Sequence, residues 1–203
     1  MNQQLIPSSR GRPREFCVEA ALAAALKVFW SKGYEGASLT DLTEAMGITR
    51  PSLYAAFGNK EALFHKALDL YGRDKLAYIS AALEAPTARA VVERTLNGIL
   101  ELQAEASNPK GCLGVISSVA CGSEAEGVRA EVLKRRKAAD DAILARMERA
   151  KAEGDLPEHL SAEAVVGYIS AIIQGLCLQA GAGASIEQLR RTVDMTLMLW
   201  PGR

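Results

Sequence analysis

The sequence predicts an all-α protein with three short helices at the N-terminus, a connecting helix and a larger helical bundle behind it, about nine helices in all. Three observations predict it. Long Ala-, Leu-, Glu-, Lys- and Arg-rich stretches, the residue types that lose least on entering a helix, run through the 203 residues. No run of alternating β-branched residues bounded by turn signals interrupts them. Hydrophobic residues make up 49% but aromatics only 5%, so the core is aliphatic and large enough to support a folded bundle.

Each element has its own signal. Residues 1–14 are polar and Arg-rich and read as a flexible basic arm. Glu15 to Lys32 form a first helix with Ala21, Leu22, Ala25, Leu26, Val28 and Phe29 on its apolar face, ended by Gly33 at C′. Ser38 and Asp41 have capping-box spacing, so a second helix runs from Leu39 to Met46 and stops at Gly47. Thr49 caps a third, where Pro51 is tolerated because first-turn N–H groups have no intrahelical partner. Asn59 caps the connecting helix, Lys60 to about Leu83, which Ala85-Pro86-Thr87 interrupts. Further helices are expected at about 88–105, 112–122, 124–153, 162–180 and 186–200, with capping boxes at Ser123/Glu126 and Ser185/Gln188. The domains implied are residues 1–14, 15–60 and 61–203.

Charge and cysteine content narrow the class. The 24 basic and 24 acidic residues cancel, which excludes a highly charged disordered chain. Residues 1–66 nevertheless carry eight basic groups against six acids. Four scattered cysteines do not make a disulfide scaffold, and no apolar signal peptide opens the chain, so a reducing cytoplasm is expected. Ala164 to Ala184 is uncharged and long enough to cross a bilayer. Its Gln174, Gln179, Ser170 and Tyr168, and flanks without a basic cluster, favour a fully buried soluble helix and no membrane partner.

Between Leu39 and Phe57, two short helices flank Gly47, with Leu42, Met46, Ile48, Leu53 and Phe57 spaced to pack across a tight turn. This is helix-turn-helix spacing. A major groove about 12 Å wide admits one helix, so the second of the pair must be braced with its polar N-terminal residues facing outward. Those residues are Thr49, Arg50, Pro51 and Ser52, with Tyr54 one turn along. Arg50 has the donor pair that guanine accepts, the hydroxyls suit phosphates or base edges, and the helix starts at Leu39 and Lys60 offer backbone donors to phosphate. Arg12 and Arg14, in the run Arg10-Gly11-Arg12-Pro13-Arg14, suit insertion into a narrow minor groove. Phe29, Ile48, Leu53, Phe57 and Leu63 are assigned to the core, and Trp30 and Tyr34 to the space beneath the helix-turn-helix.

The runs from Phe29 to Leu42, Met46 to Tyr54 and Phe57 to Leu63 together resemble the DNA-binding domain of TetR family transcriptional regulators. The resemblance spans roughly residues 15–70. It implies a homodimeric repressor whose first three helices bind a double-stranded DNA operator while the rest form a ligand-binding and dimerisation domain. By position it carries DNA contacts onto Thr40, Thr49, Arg50, Ser52, Tyr54 and Lys60. Two departures stand out: Ala55-Ala56 in place of a larger pair, and Thr43 in place of a small alanine. The first leaves Arg50 with more of the specificity.

In the second domain, periodicity places Leu96, Leu100, Leu113, Ile116, Ile143, Met147, Ile169, Ile173 and Leu176 around a pocket for a small, mostly apolar inducer. Gly167, Ala171 and Gly175 form a stripe that, with Leu189, Val193, Thr196, Leu197 and Trp200, suits a four-helix interface between two copies. Cys112 and Cys121 stand near the ends of one expected helix, about 13–14 Å apart, beyond the roughly 7 Å limit of a disulfide. They read as buried free thiols; the alternative is a thiol-based redox or electrophile sensor on the same scaffold, using Cys112, Cys121 or Cys177. His65 and His159 lack metal-ligand or nucleophile–base spacing, so no cofactor, no metal and no enzyme is expected; a helical enzyme or interaction module without DNA binding is the remaining alternative.

Overall fold

A computed structural model describes residues 17–119, 122 and 125–202. Ten α-helices and no strand occur among the described residues: α1 Val18–Gly36, α2 Leu39–Met46, α3 Arg50–Phe57, α4 Lys60–Lys75, α5 Ala77–Leu83, α6 Ala88–Ala104, α7 Leu113–Val119, α8 Glu126–Ala152, α9 Ala162–Gly181 and α10 Ile186–Met198. The capping boxes at Ser38/Asp41 and Ser185/Gln188 are both formed. Asn59, Thr87 and Ser161 each accept a backbone N–H at the start of α4, α6 and α9. The N-cap of α8 is Ala125, which has no capping side chain; Ser123, expected there, lies outside the described residues.

Two boundaries differ from expectation. Gly33 kinks α1 rather than ending it: at φ 71°, ψ 177° it adopts a conformation reserved to glycine, and a last turn reaches Gly36. The connecting helix is two helices, because Leu76 at φ −111°, ψ 5° breaks the ladder between α4 and α5. No proline or glycine occupies that position. The break has a tertiary cause: α4 packs against α1, α5 packs against α6, and one straight rod cannot serve both cores.

The first core gathers Leu26, Phe29, Trp30, Leu42, Leu53, Phe57, Leu63, Phe64, Leu68 and Tyr71, with Leu113, Val128 and Val132. Its aromatics meet edge-on, Phe29 to Phe64 at 5.0 Å and Tyr34 to Phe64 at 5.1 Å between centroids. The second core is aliphatic and joins α5, α6, α9, α10 and the C-terminal half of α8. Trp30 is buried in this same core and reaches beyond it. Its ring lies edge-on to Tyr71 at 4.7 Å and its Nε1 donates to the Gly111 carbonyl at 3.0 Å, tying α1 to the loop before α7. Glu35 adds a second tie, accepting from the Gly122 backbone N–H at 2.8 Å, and Arg135 of α8 reaches Asp69 of α4 at 2.7 Å.

The uncharged helix α9 is long and apolar enough to cross a membrane by length and composition. It is only half buried, which corrects the expectation of full burial. Val165, Val166, Ile169, Leu176 and Ala180 enter the core, while Tyr168 and Leu178 are 46% and 48% exposed on the other face. On α10, Met195 and Met198 are exposed as well, as is Leu199 just after it.

Candidate nucleic-acid interface and ligand cavity

Leu53 and Phe57 anchor α3 in the first core, and burying one face fixes which residues face outward. Thr49, Arg50, Pro51, Tyr54, Ala55 and Ala56 are exposed; Ser52 is half-buried. The αL conformation of Gly47, at φ 66°, ψ 31°, lets α2 and α3 meet at a tight turn, which Ile48 N–H closes onto the Thr43 carbonyl at 3.1 Å. Thr49 caps α3 by accepting from Ser52 N–H at 3.4 Å, and its hydroxyl is 2.9 Å from that of Ser52. Arg50 Nη2 donates to Thr40 Oγ1 at 2.9 Å. Thr40, Thr49, Arg50 and Ser52 thus form one polar surface, with Tyr54 a turn further along α3.

The acid in the first turn of α2, Asp41, is paired. Lys32 pairs with Asp41 at 2.7 Å, and this hydrogen bond, with those from the Ser38 hydroxyl and backbone N–H, lowers the Asp41 carboxyl to about 2. Lys60, at the start of α4, sits 4.5 Å over the Tyr34 ring. Partial burial pulls its ammonium below the ordinary lysine value, while Glu35 pushes it back up. Arg12 and Arg14 lie outside the described residues.

Where α4 meets α5, a cavity of about 370 Å³ opens between the two cores. Of the nine residues expected to line it, Ile143 and Ile173 do. Leu96, Leu100, Leu113, Met147, Ile169 and Leu176 are at most 2% exposed and fill the cores instead, while half-buried Ile116 faces Gly33 and Gly111. Periodicity picks out a buried helix face but does not separate packed side chains from those bordering a void. The lining that it misses comes from both sides of the α4–α5 break: Leu68, Tyr71, Gly72, Leu76, Tyr78 and Ile79. No composition signal marks that break. Polar groups are few, with Gln103 and Thr95 on α6, and Arg135, Arg136, Asp140, Ser170 and Gln174 on α8 and α9. Gln103 is committed to the chain: its Nε2 donates to the Gly111 carbonyl at 3.0 Å and its Oε1 accepts from Gly111 N–H at 2.8 Å.

Cys112 and Cys177 both face this cavity, whereas Cys121 lies outside the described residues. A second pairing, which the sequence did not single out, brings Cys112 beside Cys177 on the cavity wall. The Cys177 thiol beside it, with the backbone N–H groups of Val115 and Gly114, lowers the Cys112 thiol to about 6 against the opposing effect of burial. Cys177 moves the other way, raised by its contact with Cys112 and by burial. Among the described residues, no group of three or more His, Cys, Asp and Glu is placed to hold a metal ion.

A braced, outward-facing helix on a three-helix unit, joined to a helical domain with its own cavity, defines a helix-turn-helix transcriptional regulator. The sequence model for bacterial regulatory proteins of the tetR family matches residues 21–67. The HTH-type transcriptional repressor ComR of Escherichia coli (strain K12) is 36% identical over 201 residues, 98% of this chain and 95% of its own. The HTH-type transcriptional repressor BdcR from the same strain is 31% identical over 91% of this chain and 89% of its own. A cysteine mutant of the TetR family regulator CifR, solved with 26 bp double-strand operator DNA, superposes with a TM-score of 0.88 at 38% identity, over 94% of this chain and all of that one. The chain belongs to the TetR family of transcriptional regulators.

Proposed function

We propose that this chain is a cytoplasmic, homodimeric repressor that binds a palindromic DNA operator and is released from it by a small, mostly apolar molecule bound in the 370 Å³ cavity. The observation that carries the reading is the path of α4. Its N-terminal half, Leu63 and Phe64, is locked into the core that braces α3, and its C-terminal half, Leu68, Tyr71, Gly72 and Leu76, borders the cavity. A ligand that demands a wider cavity moves α4, and with it the recognition helix.

In a dimer, two recognition helices must sit about 34–36 Å apart to enter successive major grooves on one face of DNA. A ligand that binds better to a dimer with another separation lowers operator affinity by that difference. The exposed apolar positions Leu178 of α9, Met195 and Met198 of α10 and Leu199 just after it, with the Gly167, Ala171 and Gly175 stripe, support these two helices as the dimer face. Thr40, Thr49, Arg50, Pro51, Ser52, Tyr54 and Lys60, with Arg12 and Arg14 of the arm, are the proposed DNA contacts.

Selection of bound sequences from a random DNA pool tests the reading: a palindrome with half-sites one helical turn apart is expected, and a non-symmetric or absent motif overturns it. On the recovered operator, Arg50→Ala should lose about 1–3 kcal/mol of binding, roughly ten- to a hundredfold, and relax one base position in each half-site. An unchanged affinity and motif would remove Arg50 from the interface.

A further inference from the structure

We propose that Cys112 is a covalent capture site for small apolar carbon electrophiles, α,β-unsaturated ketones and aldehydes, with Cys177 of α9 beside its sulfur holding it ready. The inference rests on the reading of this cavity as the inducer site and names the chemistry of the inducer. Three features of the chain place the reaction there.

The first is position. Cys112, just before α7, and Cys177, on α9, both line the cavity, and the backbone brings them together. Gly111, at φ 85°, lies so close to α9 that a Cβ there would stand 3.3 Å from the Cys177 carbonyl oxygen and 3.5 Å from Gly181 Cα. No larger residue permits this approach. The second is the lining. Leu68, Leu76, Ile79, Ile99, Val115 and Ile173 make the space around the sulfur apolar, which admits a carbon electrophile in preference to a polar oxidant. The third is the hydrogen bonding. Cys177 and the N–H groups of Gly114 and Val115 donate to the Cys112 sulfur, so the nucleophilic thiolate is its favoured form near neutrality. Cys177 is held as the protonated thiol, which makes it a donor rather than a second nucleophile.

The step balances without a co-reactant. Sγ of the Cys112 thiolate forms a bond to the β-carbon of the enone, and the alkene π pair moves to the carbonyl oxygen as an enolate. The proton released when Cys112 ionised returns through solvent to the α-carbon, and no atom leaves. The adduct fills the space between α4 and α9. Since Gly111 is clamped by Gln103 and bonded to Trp30, and Tyr71 packs on Trp30, the displaced sulfur is two contacts from α1 and one from α4.

The experiment treats the full-length protein, bound to its selected operator, with 2-cyclohexen-1-one. Peptide mass mapping follows Cys17, Cys112, Cys121 and Cys177 between pH 5 and 8. The expected result is one adduct per chain on Cys112, formed at pH 6.5 about tenfold or more faster than on exposed Cys17, with a rate midpoint near pH 6 and parallel release of DNA. Cys177→Ala should move that midpoint upward, and Cys177→Ser, which keeps a donor, should largely restore it. Equal rates at Cys112 and Cys17, an adduct that leaves the operator bound, or undiminished release in Cys112→Ser overturns the proposal. So does release by hydrogen peroxide alone, with a mass loss of two hydrogens, while cyclohexenone is inert. If Cys112→Ser does not fold, the wild-type pH profile and the Cys177 pair decide. Protein that binds operator when untreated and keeps it when treated with the enone refutes the electrophile and leaves the repressor reading standing, whereas untreated protein that selects no DNA refutes that reading itself.

Discussion

The N-terminal unit and the helical domain behind it are built on different principles. In the first, α2 and α3 are eight residues each, too short to be stable alone, and are held by caps, a left-handed Gly47 and an aromatic cluster with no slack. In the second, long helices enclose an aliphatic core that leaves a 370 Å³ cavity where α4 gives way to α5. Rigid bracing suits a surface that must present Arg50 in one orientation; incomplete packing suits a site that must yield to a ligand. The lesson is that the boundary between the two is no linker. Trp30, Tyr71, Gly111 and Cys112 form a continuous contact from the DNA-reading core to the cavity wall.

Substitutions can break or sharpen this contrast. The largest effect is expected in the tight core: Phe64→Ala removes a ring with no exposed surface and two aromatic neighbours, and should cost about 3–5 kcal/mol, read as a lowered chemical-denaturation midpoint with loss of operator binding. A cost under 1 kcal/mol would mean that the core is loosely packed. Gly98→Ala probes the other region, since its Cβ would run into the Tyr78 ring. Overpacking there should cost about 1–3 kcal/mol and displace the Tyr78 ring, which lines the cavity. Ligand affinity should fall while operator affinity in the absence of ligand is retained; the reverse pattern would show that the cavity does not act independently.

Smaller effects belong to the ends of α2. Ser38→Ala removes the capping box and should cost about 1 kcal/mol, measured by denaturant titration. The weakest is a pH effect. The folded Asp41 carboxyl lies at about 2, below its ordinary 3.8, so its contribution is present above about pH 4 and is lost as pH falls through 2. The difference in melting temperature between wild type and Asp41→Asn should therefore shrink as the solution is acidified from pH 5 to pH 2. A constant difference would show that the charge plays no part.

Much was legible in the sequence because it depends on neighbours in the chain. The Ser38-x-x-Asp41 and Ser185-x-x-Gln188 boxes, the Thr49 and Asn59 caps and Gly47 are local devices, and the elements that they start or stop fall where their residues say. The buried Leu53 and Phe57 follow from helical period, and the outward face of α3 follows from them. The capping signal at Ser123 falls outside the described residues, and the described α8 begins after Ala125.

The sequence by itself determined the helical class, the helix-turn-helix and the residues that it presents, because capping, glycine conformation and 3.6-residue periodicity act within a few residues. Only the tertiary structure decided the break at Leu76, the Trp30 bond to Gly111, the half-exposed face of α9 and the meeting of Cys112 with Cys177, 65 positions along the chain. Each of these depends on which surfaces compete for the same side chain. A void, above all, is a property of the packing of several helices at once, and no single stretch of sequence records it.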